Sequence, residues 1–183
     1  MSELRMYIGA APGETTIGVV LMISGKMQEA FNKQIQAEFA SAYLYLAMAA
    51  YCESSNFPGF AHWLRLQHQE ENGHALKLYG YLLERGGQVK LQAIDGQPAD
   101  YGTPVDVFAK ILAHEQHVTA AIHSLYETAL AEKDYASQIF LQWFISEQVE
   151  EEASAAAVLE KLKMLPDKSG ALLYIDKELG KRA

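Results

Sequence analysis

The sequence predicts an all-α fold: a bundle of four long helices, one long crossover between the second and third, and a short fifth helix at the C-terminal end. Three observations carry this. Gly and Pro cluster in few places, at Asn56-Phe57-Pro58, Gly86-Gly87, Gly96 to Pro104 and Pro166 to Gly170, so the chain from Ser24 onward falls into long unbroken segments. Within each segment apolar residues recur at alternating +3 and +4 spacing, the period of one buried helix face. The connections are unequal: two are short, and one runs about 18 residues, long for a compact domain.

Helix A spans about 24–53, with Ser24 placed to cap it. Helix B spans about 57–85, and the short turn before it makes A and B antiparallel neighbours. Helix C spans about 104–132, with Thr103 as N-cap and Pro104 at the first helical position. Helix D spans about 134–163 and a fifth helix about 168–179. At over 3 Å per extended residue the Gly-rich B–C segment can travel the ~42 Å of a long helix, so B and C are expected to run parallel. Asn72-Gly73 is a turn signal inside helix B, and a mid-helix glycine costs about 1 kcal/mol against alanine. The apolar period continues on both sides, so the helix is kept. The glycine is expected to admit a close neighbour, or to loosen the helix beside His74.

Composition narrows the function. The chain has 183 residues, half of them hydrophobic, which suits one domain with a sizeable core. Its formal charge of −8 argues against a general nucleic-acid binder. Cys52 is the single cysteine, so no internal disulfide or Cys-rich zinc site can form, and a reducing cytoplasm fits. The apolar run Ile17 to Ile23 is far shorter than the ~20 residues a membrane helix needs. Glu3, Glu14 and Pro12-Gly13 also make it a poor signal peptide. Residues 1–21 read as a flexible N-terminal extension of unknown role, with Met22 as an alternative start and the domain at 22–183.

The predicted seams carry the chemistry. Helix A contributes Phe31, Ile35, Glu38, Ala42, Tyr45 and Ala49; helix B contributes Leu64, Gln67, Glu71, His74, Leu78 and Tyr81. Helix C contributes Phe108, Leu112, Glu115, Thr119, Ile122 and Tyr126; helix D contributes Leu141, Phe144, Gln148, Glu151, Ala155 and Val158. Each stripe holds one glutamate near its midpoint and no Lys or Arg. In an antiparallel or crossed bundle Glu38, Glu71, Glu115 and Glu151 therefore converge at one height. A buried carboxylate must protonate, pair or bind a cation. Two divalent cations cancel four such charges, and His74, one turn from Glu71, adds a nitrogen ligand. The pattern predicts a dinuclear centre with Glu71 as the bridge. Oxygen-rich ligation with one histidine and no thiolate points to iron(II) or manganese(II).

Glu70, Glu147 and Glu150 form either a flanking cation site or a solvated acidic face. Glu152 is out of phase and assigned to the surface. His114-Glu115-Gln116-His117 lacks the spacing of a metalloprotease motif, so both histidines are placed at the surface or behind the ligands. His68 lies off the stripe; His62 and His123 have no evident partner. Tyr45 is placed to bond a ligand, to donate an electron, or simply to pack. Trp143 is read as packing.

These residues resemble the non-haem bacterial ferritins over about Met22 to Lys181. The pieces that carry the likeness are A-E-F-A-S-A-Y-L-Y at 37–45, Q-E-E-N-G-H at 69–74, H-E-Q at 114–116, L-Q-W-F-I-S-E-Q-V-E-E-E at 141–152 and L-L-Y-I-D-K-E-L at 172–179. The resemblance implies a ferritin-like bundle and three metal positions. The first takes Glu38, Glu71 and His74. The second takes Glu71, Glu115 and Glu151 with Gln148 nearby, and the third takes Glu70, Glu147, Glu150 and Glu151. Tyr45 matches the family's site-adjacent tyrosine.

It also implies a ferroxidase that oxidises Fe(II) with O2 or H2O2 and stores ferric mineral in a hollow 24-subunit shell. Relatives separate by their departures. Bacterioferritin carries a second E-x-x-H, but Ser154 follows Glu151 at that spacing; its haem methionine is replaced by Asn72, so no haem is expected. Rubrerythrin needs a four-cysteine iron domain, which Cys52 alone cannot supply. Two other readings are a passive metal-binding shell without fast ferroxidase activity, and a di-iron or di-manganese oxidase acting on another substrate.

Overall fold

A computed structural model describes residues 22–165 and 170–182. The expected extension at 1–21, and the expected start of the fifth helix at 168, lie outside the described residues. Among the described residues five helices follow in order: α1 (Gly25–Ser54), α2 (Pro58–Glu84), α3 (Pro104–Ala131), α4 (Tyr135–Lys163) and α5 (Ala171–Leu179). Each of the first four lies within two residues of its predicted bounds.

The caps explain the starts. Ser24 accepts from the Met27 amide, and Thr103 forms a reciprocal capping box with Asp106, with Pro104 at the first turn. Asp134, not singled out in the sequence, caps α4 by accepting from the Ser137 amide.

α1 packs along α2, and α3 along α4, while α5 rests on α2. The crossover is an extended strap laid along α1. Gln88 N donates to Gln28 Oε1 at 2.7 Å, Lys90 N to Asn32 Oδ1 at 2.6 Å, and Gln36 Nε2 to Ala93 O at 2.7 Å; Tyr51 then donates to Gly102 O at 2.7 Å. The strap thus climbs α1 from its first turn to its last. Arg85, at the end of α2, reaches Asp134 at 3.0 Å in the α3–α4 turn. The C-terminal ends of α2 and α3 therefore lie together, and the two helices run parallel as expected.

The core divides into two apolar clusters around Trp63–Phe108 and Phe31–Phe144. Between them lies a polar middle layer, which holds the four glutamates. The predicted stripes of α1 and α4 are buried throughout. On α3 the predicted Phe108, Glu115 and Ile122 are buried, but Ile111, Val118 and Leu125 fill the places between them, while Leu112, Thr119 and Tyr126 are only partly buried. A stripe wide enough for two neighbours admits either of the last two sets, and α1 and α4 together select the Ile111 set.

Gly73 corrects an expectation. α2 runs unbroken through it, and a Cβ placed there meets no atom within 4 Å, so it admits no close neighbour. The close approach occurs at Gly59 instead, where a Cβ would fall 1.7 Å from the Asp176 carbonyl oxygen. Asp176 Oδ1 accepts from the Phe60 amide at 3.0 Å, closing the junction between α5 and the start of α2.

Candidate metal centre

The four helices deliver Glu38, Glu71, Glu115 and Glu151 to the middle layer, all buried. Among the described residues no Lys or Arg side chain is buried with them. Glutamines fix their orientation. Gln34, one turn before Glu38, donates to its Oε1 at 2.9 Å. Gln67, one turn before Glu71, donates across the bundle to Glu151 Oε2 at 2.7 Å. Gln148 donates to Glu115 Oε2 at 3.2 Å, and the Tyr45 hydroxyl donates to Glu115 Oε1.

Among the described residues, three buried carboxylate oxygens have no hydrogen-bond partner: Glu38 Oε2 and both oxygens of Glu71. Leaving such atoms bare is costly, several kcal/mol for a charge. Glu38, Glu71 and His74 can each present a ligand atom within 4.8 Å of the others. His74 Nδ1 stands 3.8 Å from Glu71 Oε2, too far for a hydrogen bond. At ligand distances of about 2.1 Å one ion spans such a gap. Glu38–Glu71–His74 is the expected first position.

The electrostatics agree. Burial holds Glu38 well above the usual carboxylate range, and the facing Glu71 adds to it. Burial does the same to Glu71, with Glu115 and Glu151 contributing repulsion. Burial raises Glu115 too, against the Tyr45 and Gln148 bonds. Glu151 is pushed up to about 7, chiefly by burial and then by Glu115. Tyr45 is held well above its ordinary value by burial and by Glu115, so it donates its proton in a bond and does not ionise.

The remaining expected residues sit as follows. His74, Glu147 and Glu151 form a second group within 4.8 Å. Glu70 is held instead by Arg182, and Glu150 points to solvent. Glu115 is bonded to Tyr45 and Gln148.

Two assignments change, those of Glu152 and His62, and two are made more specific. Glu152 is partly buried and accepts from Thr119 Oγ1 at 2.6 Å, so it belongs to the layer's edge and not to the open surface. His62 has a partner, with Nε2 2.8 Å from the Arg182 carbonyl. His114 lies 2.8 Å from Ser41 Oγ and is kept neutral, its pKa lowered to about 4 by burial and by His117. Trp143 packs its ring edge-on to His74 at 5.4 Å, with Lys77 Nζ 3.1 Å above its centroid.

Sequence reasoning missed Arg182 and the orienting roles of Gln34 and Gln67. The glutamines had a signal, since each stands four residues before a stripe glutamate. Arg182 had none.

A family model described as a ferritin-like domain matches residues 28–165. The bacterial non-heme ferritin of Bacteroides fragilis is 47% identical over 161 residues, covering 88% of this chain and all of that protein. Its counterpart in Staphylococcus aureus is 39% identical, over 88% of this chain and 97% of its own. Among solved structures, the open-pore ferritin of the archaeon Archaeoglobus fulgidus superposes with a TM-score of 0.87. It is 50% identical and covers 88% of this chain and 98% of its own.

Proposed function

The chain belongs to the ferritin family, and on that footing we propose that it is an iron-storage ferroxidase acting at the buried carboxylate layer. Fe(II) is its substrate and its cargo. One Fe(II) binds Glu38, Glu71 and His74; a second binds Glu71, Glu115 and Glu151, with Gln148 beside it. Glu71 lies between the two and bridges them. Glu70, Glu147 and Glu150 supply, with Glu151, a flanking position through which iron is passed on.

The observation that carries this reading is Glu71, buried with both oxygens unpartnered. A carboxylate so placed is stabilised by a cation on each side. Loading displaces the protons that burial keeps on Glu38, Glu71 and Glu151. Each Fe(II) then gives up one electron. The two electrons and two protons reduce O2 to hydrogen peroxide, or hydrogen peroxide to water. A carboxylate layer favours the more highly charged ferric product, which lowers the cost of the oxidation. Gln34, Gln67 and Gln148 orient the carboxylates that receive the iron.

Ferric iron then hydrolyses in the interior of a 24-subunit cytoplasmic shell built by residues 22–183. Exposed apolar side chains such as Leu76, Leu83, Tyr135, Ile139 and Val149 support burial between subunits. The direct test adds two equivalents of Fe(II) per chain without air, then admits oxygen and follows the ferric absorbance. Fast oxidation at that stoichiometry supports the coupled centre. Oxidation no faster than iron in buffer leaves the passive metal-binding shell.

A further inference from the structure

Arg182 lies beyond the end of α5, yet it reaches the acidic flank of the centre. One guanidinium nitrogen, Nη2, donates to both oxygens of Glu70, at 3.1 and 2.9 Å. The other, Nη1, donates to Gln67 Oε1. The guanidinium carbon sits 5.0 Å from the Trp63 ring centroid, and the Arg182 carbonyl meets His62 Nε2 at 2.8 Å. Among the described residues, no other Lys or Arg makes an ion pair with a carboxylate assigned to the centre.

We propose that Arg182 is a tethered counter-cation that closes the flanking position around Glu70 until a divalent cation displaces it. This rests on the reading of Glu70, Glu147 and Glu150 as a cation site. The two cations exclude each other because both need the same Glu70 oxygens. The pair is also displaceable. Glu70 is 42% exposed and Arg182 28%, so water screens their attraction. A divalent ion that gathers Glu147 and Glu151 as well binds through more charge than one guanidinium supplies.

The displacement is felt further in. A guanidinium has only donors, so Gln67 must turn its oxygen to Arg182. That leaves its NH2 for Glu151, which it meets at 2.7 Å. Arg182 is therefore a positioning residue: it holds Glu70 directly and Glu151 through one amide. A cation on the flank releases the tail and frees Gln67, so flank occupancy and the setting of Glu151 are linked in both directions.

Zn(II), which is redox-silent, tests this by titration calorimetry on the assembled apoprotein. The parent is compared with R182A, R182K, E70Q and the R182A/E70Q double variant. R182A is expected to tighten the weakest Zn(II) step about three- to tenfold, the scale of a partly exposed bidentate pair. The tighter steps should stay within about twofold, and R182K should give a smaller gain because it keeps the charge without the fork. In the E70Q background, removal of Arg182 should give a much smaller gain, limited to what its bond to Gln67 carries. A weakest step unchanged in R182A overturns the proposal, as does an equal gain with and without the Glu70 carboxylate. Should R182A not assemble, R182K against R182K/E70Q decides by the same criterion. A parent that binds no Zn(II) overturns the metal-centre reading and this proposal together, a result distinct from an intact pair of tight steps with an indifferent third.

Discussion

Gln67 Nε2 donates to Glu151 Oε2 at 2.7 Å, across the bundle from α2 to α4, and both groups are buried. The bond satisfies one oxygen of Glu151 but supplies no charge, so burial still pushes that carboxyl up to about 7. Neutral amides play the same part at Glu38 and Glu115. The middle layer is thus oriented by hydrogen bonds and left without a counter-charge, an arrangement suited to receiving cations and costly without them.

That cost makes apoprotein stability depend on pH. The folded state keeps protons on Glu38, Glu71, Glu115 and Glu151 that the unfolded chain loses near the ordinary value of 4.5. Where the native state binds more protons, stability falls as pH rises. The contribution is fully present below pH 4.5 and is lost as pH climbs through the folded values. Glu151 alone, between 4.5 and about 7, accounts for about 3 kcal/mol. The melting temperature of the apoprotein should therefore carry a component that falls from pH 5 to pH 8. At pH 8 a divalent cation should restore it, and Glu71→Gln should flatten it.

Glu71→Ala should abolish rapid Fe(II) oxidation, since it removes the bridge from both positions. We expect a loss of about a hundredfold or more in stopped-flow rate, of the order produced by deleting a principal electrostatic group. Glu71→Gln should also lose activity while melting higher than the parent at pH 8, because an amide carries no charge to desolvate. A Glu71→Ala rate equal to the parent's would sink the assignment.

Tyr45→Phe removes the hydroxyl that donates to Glu115 and leaves only Gln148 on that carboxylate. The lost bond is worth about 1 kcal/mol, or about fivefold in affinity at the second position. Stepwise cation titration should show that weakening while the Glu38–Glu71–His74 step is unchanged. An unchanged second step would mean that Tyr45 only packs.

Gly59→Ala and Gly73→Ala should act in opposite directions. At Gly59 the new methyl meets the Asp176 backbone 1.7 Å away, so α5 must shift; overpacking of this kind costs about 1–3 kcal/mol, and more against backbone. At Gly73 the methyl meets nothing within 4 Å, and the gain in helix propensity is about 1 kcal/mol. Thermal melts of the two variants check the pair. Size-exclusion of Gly59→Ala should also show loss of assembly if α5 docking governs it.

Much of this was legible along the chain because a helix repeats locally. Spacing of three and four residues set Glu38 among Phe31, Ile35 and Tyr45, and set His74 one turn from Glu71, before any neighbour was known. Breakers at Pro58, Gly86-Gly87 and Pro104 marked the ends, and the length of the strap implied that α2 and α3 run parallel. On α3 the pattern was wide enough for two registers, and packing against α1 and α4 chose between them.

Helical phase, the breakers and the length of the strap therefore determined the bundle, its direction of travel and the four converging carboxylates, since each can be read along the chain without knowing how the helices dock. Only the tertiary structure decided which glutamine serves which carboxylate, that Glu152 meets Thr119, and that Arg182 reaches Gln67 and Glu70 more than a hundred residues away. The last depends on α5 settling on α2 where Gly59 leaves room for the Asp176 backbone. Contacts between distant segments follow from how whole elements dock, and no local repeat in the chain encodes that.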